Sequence, residues 1–327
     1  MHGSGAIAFP GLGIGEFFVD RVAFTVFGRE VYWYGVFIAT AFLLGVLLSL
    51  RLARENGLDQ DHIVNLVLIT TPVSIVGARA YYVLTTLDRY DSFYDMIAIW
   101  EGGIAIYGAI LAGMVCFFVY CRAKKLPFLK VLDVAAPSVI LGQGIGRWGN
   151  FVNQEAFGRV TDLPWRMELT INGVRQAVHP TFLYESLWDV AGCALLLWIF
   201  FHRRADGQTA FSYFVWYGVG RFFIEGLRTD SLYVGPFRIS QLVSIALCAV
   251  GVVMLRRILR RPAAGAAGEA QPGEAGCVPA PEQPAAELPP SGDAGAACAE
   301  QATADAPASG DEPGEAAACG PQEGQRP

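Results

Sequence analysis

The sequence contains no Cys-x-x-Cys pair, no His-Glu-x-x-His and no His/Cys spacing of a metal site, although it has seven cysteines and four histidines. Zinc-finger, thioredoxin-type and zincin chemistry are therefore left without ligands or nucleophiles. An intramembrane protease would need paired aspartates, a Ser/His pair or a metal motif, and Asp189 has no evident partner. No repeat of solenoid length is present. The first apolar run has no basic segment before it and no small-x-small site after it, so it is expected to stay in the chain rather than leave as a signal peptide. Residues 262–327 have almost no large apolar side chains. They are Ala, Pro, Gly and Glu, unable to bury enough surface to offset chain entropy, and are expected to be disordered.

What is present is apolar. Mean hydropathy is +0.38 over 327 residues, and several apolar runs reach roughly 20 residues, the length that crosses the hydrocarbon of a bilayer. The chain reads as an all-α integral membrane protein, a polytopic bundle of about seven transmembrane helices. The formal charge of −6 is unevenly spread: residues 262–327 hold eleven acids against one arginine, which leaves the rest at about +4, as for a membrane domain with basic loops. Cys116, Cys121, Cys193 and Cys248 lie in apolar runs and read as small packing residues.

The runs fall near 31–50, 63–87, 103–121, 131–147, 180–202, 209–227 and 237–258. The fourth is short and is expected to be either re-entrant or tilted. Basic clusters follow the first, third, fifth and seventh runs: Arg51 and Arg54; Arg122, Lys124, Lys125 and Lys130; Arg203 and Arg204; Arg256, Arg257, Arg260 and Arg261. If every run crosses, all four clusters share one side. The positive-inside rule then puts the N-terminus outside and the tail in the cytoplasm. Three regions result: an outside interfacial segment over 1–30, a membrane domain over 31–261 and an acidic tail over 262–327. Connection 148–179 is an outside-facing loop domain with a hairpin expected near Asn172-Gly173.

Charges inside spans are costly and mark function by default. With this orientation Arg79, Arg147, Glu185, Asp189, Arg221 and Glu225 gather toward the outer end, as do Tyr34 and Tyr107. In the sixth run Tyr217, Arg221, Glu225 and Arg228 are spaced four, four and three, so they share one helix face. Arg221 and Glu225 form an i,i+4 pair. In the fourth run Gly146-Arg147-Trp148-Gly149-Asn150-Phe151-Val152-Asn153-Gln154-Glu155 sets polar residues among glycines, a backbone able to turn sharply and approach a ligand. Its plain structural reading is a helix end capped by Asn150, with an Arg147–Glu155 pair. Two inward arginines at equal depth suit a phosphate. Such a pair reads as a clamp on a phosphate; the alternative is the anion site of a transporter or flippase for an anionic solute or lipid. The position near one leaflet and the lack of an inverted repeat speak against the transporter.

Gly146-Arg147-x-Gly149-Asn150-Phe151-x-Asn153-x-Glu155 resembles the signature of bacterial prolipoprotein diacylglyceryl transferases. Tyr217-Gly-x-x-Arg221-Phe-x-x-Glu225-x-x-Arg228 is similar to that family's second block, and His179-Pro-Thr-x-Leu-Tyr184-Glu185 to the segment before its fifth span; Tyr34-Gly35 and Gly77-x-Arg79 also fit. The resemblance covers about residues 20–260. It implies transfer of the diacylglyceryl group of phosphatidylglycerol to the lipobox cysteine thiol of a prolipoprotein, with no metal or organic cofactor and no nucleic-acid partner. It implies a multi-pass protein of the bacterial cytoplasmic (inner) membrane with its site toward the outer leaflet. Arg147, Arg221, Tyr217, Glu155 and Tyr107 are then expected to be catalytic. Asn150, Asn153, Gly158, Tyr34, Arg79, Glu225 and Arg228, together with Arg147, are expected to bind substrate. Some members carry a histidine where this chain has Tyr107, which leaves Glu155, Glu225 or the arginine field to handle the thiol proton.

Overall fold

The computed structural model describes residues 5–90, 92–171 and 173–260. Seven long helices dominate these residues, each formed where apolar side chains continue for five turns or more. The chain order is β1 (Ala6–Phe9), β2 (Ile14–Phe18), β3 (Val22–Val26), β4 (Arg29–Tyr32), α1 (Trp33–Glu55), α2 (Gln60–Thr85), the short α3 (Phe93–Ile97), α4 (Ile106–Ala123), α5 (Phe128–Asn153), β5 (Met167–Ile171), β6 (Val174–Val178), α6 (Thr181–His202), α7 (Gln208–Leu227), β7 (Tyr233–Val234), β8 (Phe237–Arg238) and α8 (Ile239–Leu259). All belong to the unit Met1–Glu269; the tail, with its expected disorder, lies outside the described residues.

Six helices, α1, α2, α4, α5, α6 and α8, are long and apolar enough to cross a membrane. With 20 residues, α7 has the length but carries polar side chains along its course, among them Tyr217, Arg221 and Glu225; it packs against α5, α6 and α8. The protein is a multi-pass helical membrane protein, and its surface is the inverse of a soluble one. Leu43, Val76, Leu84, Val115 and Leu187 are exposed on the helices, while Asp133, Glu185, Asp189 and Glu225 are buried. The fourth run is neither short nor re-entrant. It is the 26-residue α5, continuous through Arg147 and Asn150 to Asn153. Its glycines lower its apolar content without ending the helix. They serve close packing instead: a Cβ on Gly149 would overlap the Tyr34 ring of α1, and one on Gly144 would lie 3.2 Å from Asp189 Cβ of α6. The turn comes only at Gln154, which is left-handed at φ +55°.

Above one end of the bundle the N-terminal strands and the 148–179 connection fold together. The hairpin β5–β6 is present, and β1 pairs with β5 to complete an antiparallel sheet of order β2-β1-β5-β6. Ile7, Phe9, Met167, Leu169 and Val178 form its core on Phe182 of α6, with Phe151 of α5 packed against them. Residues 6–18 are thus part of this sheet, more than an interfacial segment.

Two clasps hold α7, one to α6 and one to α5. The indoles of Trp188 and Trp216 stack with centroids 4.4 Å apart, and each Nε1 donates to the other's carbonyl, at 3.1 and 3.0 Å. At the opposite end Asp133 of α5 accepts from the backbone N–H of Gly207 (2.7 Å) and Ala210 (2.8 Å), capping the start of α7 from another helix.

Candidate functional site

Glu185, in the second turn of α6, is 5% exposed, and three arginines meet it. Arg147 of α5 brings Nε to Glu185 Oε2, and Arg221 of α7 brings Nη1 to Glu185 Oε1. Arg228, just past α7, places Nη1 3.7 Å from Glu185 Oε1. Arg221 also pairs with Glu225 Oε2 at 2.7 Å, the i,i+4 contact that its spacing implied. Arg228 grips Asp230 with Nε at 3.0 Å and Nη2 at 2.7 Å. The cluster holds three guanidiniums and three carboxylates, yet their exposure is unequal. The side chains of Arg147, Arg221 and Arg228 keep 21%, 16% and 12% of their surface, against 6% for Glu185 and 2% for Glu225. Glu185 and Glu225 are the most buried of the six groups, whereas Asp230, at 49%, is the most exposed.

The other sequence-derived residues divide into those at the cluster and those apart from it. Asn150 joins the cluster, its Oδ1 accepting from Arg147 Nη1 at 3.5 Å. The Nδ2 groups of Asn150 and Asn153 donate to the exposed Glu155 at 2.9 and 3.3 Å, so Glu155 does not take the Arg147 partner expected of it. Tyr217 stacks on Tyr213 at 5.6 Å, one turn before Arg221. Gly158 forms a β-bridge with Arg228 and donates its N–H to His179 O at 3.0 Å. A Cβ there would lie 2.6 Å from His179 Cβ and 3.2 Å from Leu227 O, which is why glycine stands at this crossing. Tyr34 packs on Gly149 and Tyr107 sits half-buried in the first turn of α4. Arg79 is elsewhere. Its guanidinium donates to backbone carbonyls of Asp95 (2.6 Å), Met96 (2.9 Å), Gly102 and Gly103 (2.8 Å), fastening the segment that leads into α4. Glu185, the hub, stood in the sequence as one of several intramembrane acids and as the last residue of the His179–Glu185 block, with nothing to mark it as the meeting point of the arginines. Arg238 was also missed: it is buried and donates to Glu225 O in the last turn of α7, a carbonyl that also accepts the Arg228 N–H at 3.2 Å. Among the described residues no group of three His, Cys, Asp or Glu could hold a metal ion.

Outside the spans, burial raises the Asp230 carboxyl, but the hydrogen bonds and charge of Arg228 outweigh it and hold Asp230 below its ordinary value. Burial also holds His179 below the ordinary imidazole value. Trp165 Nε1 donates to Tyr184 Oη at 2.7 Å, which leaves the hydroxyl proton for His179 Nδ1 at 3.3 Å. Unfolded, His179 takes a proton near pH ~6.5; folded, it does so only at lower pH. Its contribution to stability is therefore full above the unfolded value and falls as pH drops through the window between the two. We expect the melting temperature in detergent to decrease from pH 7 to pH 5, and His179→Gln to flatten that limb. An unchanged slope in the variant would assign the acid sensitivity to other groups.

The fold and this cluster define a class: a polytopic membrane protein in which partly exposed arginines meet buried carboxylates at one end of its helices, near a small sheet. Residues 21–257 match the family described as prolipoprotein diacylglyceryl transferase. Phosphatidylglycerol–prolipoprotein diacylglyceryl transferase of Finegoldia magna is 48% identical over 238 residues, covering 72% of this chain and 94% of that relative. A Clostridium perfringens enzyme of the same name, numbered 1, is 45% identical, covering 74% and 96%. That of Thermosynechococcus vestitus is 47% identical, covering 67% and 85%. The chain belongs to the prolipoprotein diacylglyceryl transferase family.

Proposed function

We propose that the protein is a transferase that moves the diacylglyceryl group of phosphatidylglycerol to the lipobox cysteine thiol of a prolipoprotein, leaving a thioether-linked lipid and glycerol phosphate. The observation that carries this reading is the convergence of three partly exposed guanidiniums, from α5, from α7 and from the residue just past α7, on the buried Glu185. Such a site takes a phosphate headgroup at the end of the helices, where a membrane-held lipid presents it. Family membership supplies the rest of the substrate pair, through the name its relatives carry.

In the reaction the sulfur–carbon bond forms as the bond from the glyceryl carbon to phosphate oxygen breaks. The bonding pair goes to that oxygen, where Arg147 and Arg221 meet the growing charge; in a dry site such contacts weigh far more than in water. Arg228 adds to the field, and Tyr217 lies on the same face of α7. Of the two carboxylates proposed for the thiol proton, Glu225 is 2% exposed whereas Glu155 is exposed. We assign the proton to Glu155, held in place by Asn150 and Asn153, which passes it to water. Gly158 and Tyr34 shape the site through backbone and ring packing, and Arg79 acts through the segment it fastens. The basic clusters at the other end of the bundle favour the inner membrane, with the site at its outer face, the N-terminus outside and the C-terminus in the cytoplasm.

The test is direct. Purified protein in phosphatidylglycerol vesicles, given a lipobox peptide, should raise the peptide's mass by one diacylglyceryl group through a thioether. No modified peptide from folded protein would overturn the reading. Tyr107 is expected to position a substrate oxygen or sulfur without ionising. Tyr107→Phe should then cost about tenfold or less with an unmoved pH–rate curve, below the 10²-fold or more of a lost general base. A displaced curve with collapsed turnover would make Tyr107 the base instead.

A further inference from the structure

Glu185 is not needed to hold a phosphate; as an anion it opposes one. Yet it is buried, 5% exposed, at the point where Arg147, Arg221 and Arg228 converge. With Glu225 on Arg221 and Asp230 on Arg228, each guanidinium has a carboxylate of its own or shares one. Over these six groups formal charge therefore sums to zero before any substrate arrives, and a further buried acid, Asp189, lies one turn along α6 from Glu185. A clamp made for the tightest hold on phosphate would leave its arginines with fewer acids behind them.

The two phosphates of the reaction differ in a way that matters here. The substrate is a diester with one negative charge. The product is a monoester, glycerol phosphate, carrying between one and two. An unopposed triple-arginine site would bind the product more tightly than the substrate and be blocked by it. Binding both more tightly also brings no gain in turnover, because only interactions stronger in the transition state raise it. A buried carboxylate in contact with the guanidiniums weakens the hold on either anion and opposes the more charged one most. It also aims the planar groups, since both its oxygens are engaged from different helices, Oε2 by α5 and Oε1 by α7.

We propose that Glu185 is a positioning residue that fixes Arg147 and Arg221 in register and lowers the site's affinity for phosphate so that glycerol phosphate can leave. This rests on the transferase reading above.

The experiment measures binding of glycerol 1-phosphate to the purified full chain by calorimetry, alongside steady-state and first-turnover transfer rates. Glu185→Gln keeps the shape and removes the charge. It should bind glycerol 1-phosphate about tenfold more tightly or more, retain a first turnover, and then slow in steady state, with kcat and KM falling together. A merely structural ion pair would give weaker binding and loss of the first turnover as well. Glu185→Asp keeps the charge but withdraws it by one methylene, and should tighten binding by a smaller factor, about two- to threefold. It serves where the glutamine variant fails to fold. Unchanged or weaker binding in a folded variant overturns the inference. If the native protein itself fails to bind glycerol 1-phosphate or to transfer, the underlying reading fails instead.

Discussion

Arg147→Lys and Arg221→Lys are each expected to lower turnover by roughly 10²–10³-fold, the range seen when one preorganised donor to a developing oxyanion is removed, while the protein stays folded in the membrane. Charge is conserved, so a site that needed only positive potential would survive. Geometry is what changes. Arg147 spends Nε on Glu185 and Nη1 on Asn150 Oδ1 at 3.5 Å. Arg221 spends Nη1 on Glu185 and Nη2 on Glu225 at 2.7 Å. A guanidinium has five N–H groups in one plane, so each arginine can hold its protein partners and still offer donors to a phosphate. An ammonium must choose. In either lysine variant it is expected to stay with the nearby carboxylate, leaving the phosphate unheld as the carbon–oxygen bond breaks. The check is the thioether mass assay at saturating phosphatidylglycerol, with a melting curve to confirm folding. Near-native turnover in both variants would remove the clamp from the mechanism.

The sequence made one half of this cluster legible and hid the other. Arg221 and Glu225 are four residues apart on one helix, so their pairing follows from helical geometry, and 2.7 Å separates them. The partner of Arg147 does not follow. Glu155 is nearest in sequence, but the helix continues past Arg147 instead of turning, and the contact goes to Glu185 on another helix. The same distinction separates the helices from the sheet. Apolar runs announce their own helices, whereas β1 pairs with β5 across a long stretch of chain, Ile7 opposite Leu169, with no local signal to link them. Arg79 shows the limit in another form. Its partners are backbone carbonyls of α3 and of the segment leading into α4, Asp95 to Gly103, and backbone carbonyls carry no signal in side-chain identity. The fourth run was underestimated because its glycines reduce apolar content while serving as contact points for Tyr34 and Asp189.

Asp133 is the residue whose loss should most damage the fold, and nothing in its neighbourhood announces it. It stands near the start of α5, where a lone aspartate reads as a boundary residue; its partners lie 74 and 77 positions further on. It is fully buried, accepts the N–H of Gly207 at 2.7 Å and of Ala210 at 2.8 Å, and has Arg203 Nε 3.6 Å from Oδ2. Arg203 in turn donates to Asn56 of the α1 C-cap, whose amide reaches Lys130 O at 3.4 Å. Removing the carboxylate strands the N–H groups of Gly207 and Ala210 and takes away the anion beside Arg203, which keeps its bonds to Asn56 and to Phe200 O. Asp133→Ala should therefore cost about 3–5 kcal/mol, the scale for breaking a buried charged contact from one side. Asp133→Asn should lose less, since its amide oxygen can still accept from one of the two N–H groups. The chemistry should respond differently from the stability. Ala210 and Arg221 are eleven residues apart on α7, about 16 Å at the helical rise, and the Trp188–Trp216 clasp holds α7 to α6 between them. The fraction of Asp133→Ala that stays folded in vesicles at low temperature should therefore transfer lipid at the native rate per molecule. Thermal unfolding in detergent, paired with the mass assay normalised to folded protein, separates the two effects. An unchanged melting temperature would show that α7 does not depend on this cap. Turnover lost in proportion to no unfolding would mean instead that the two ends of α7 move together.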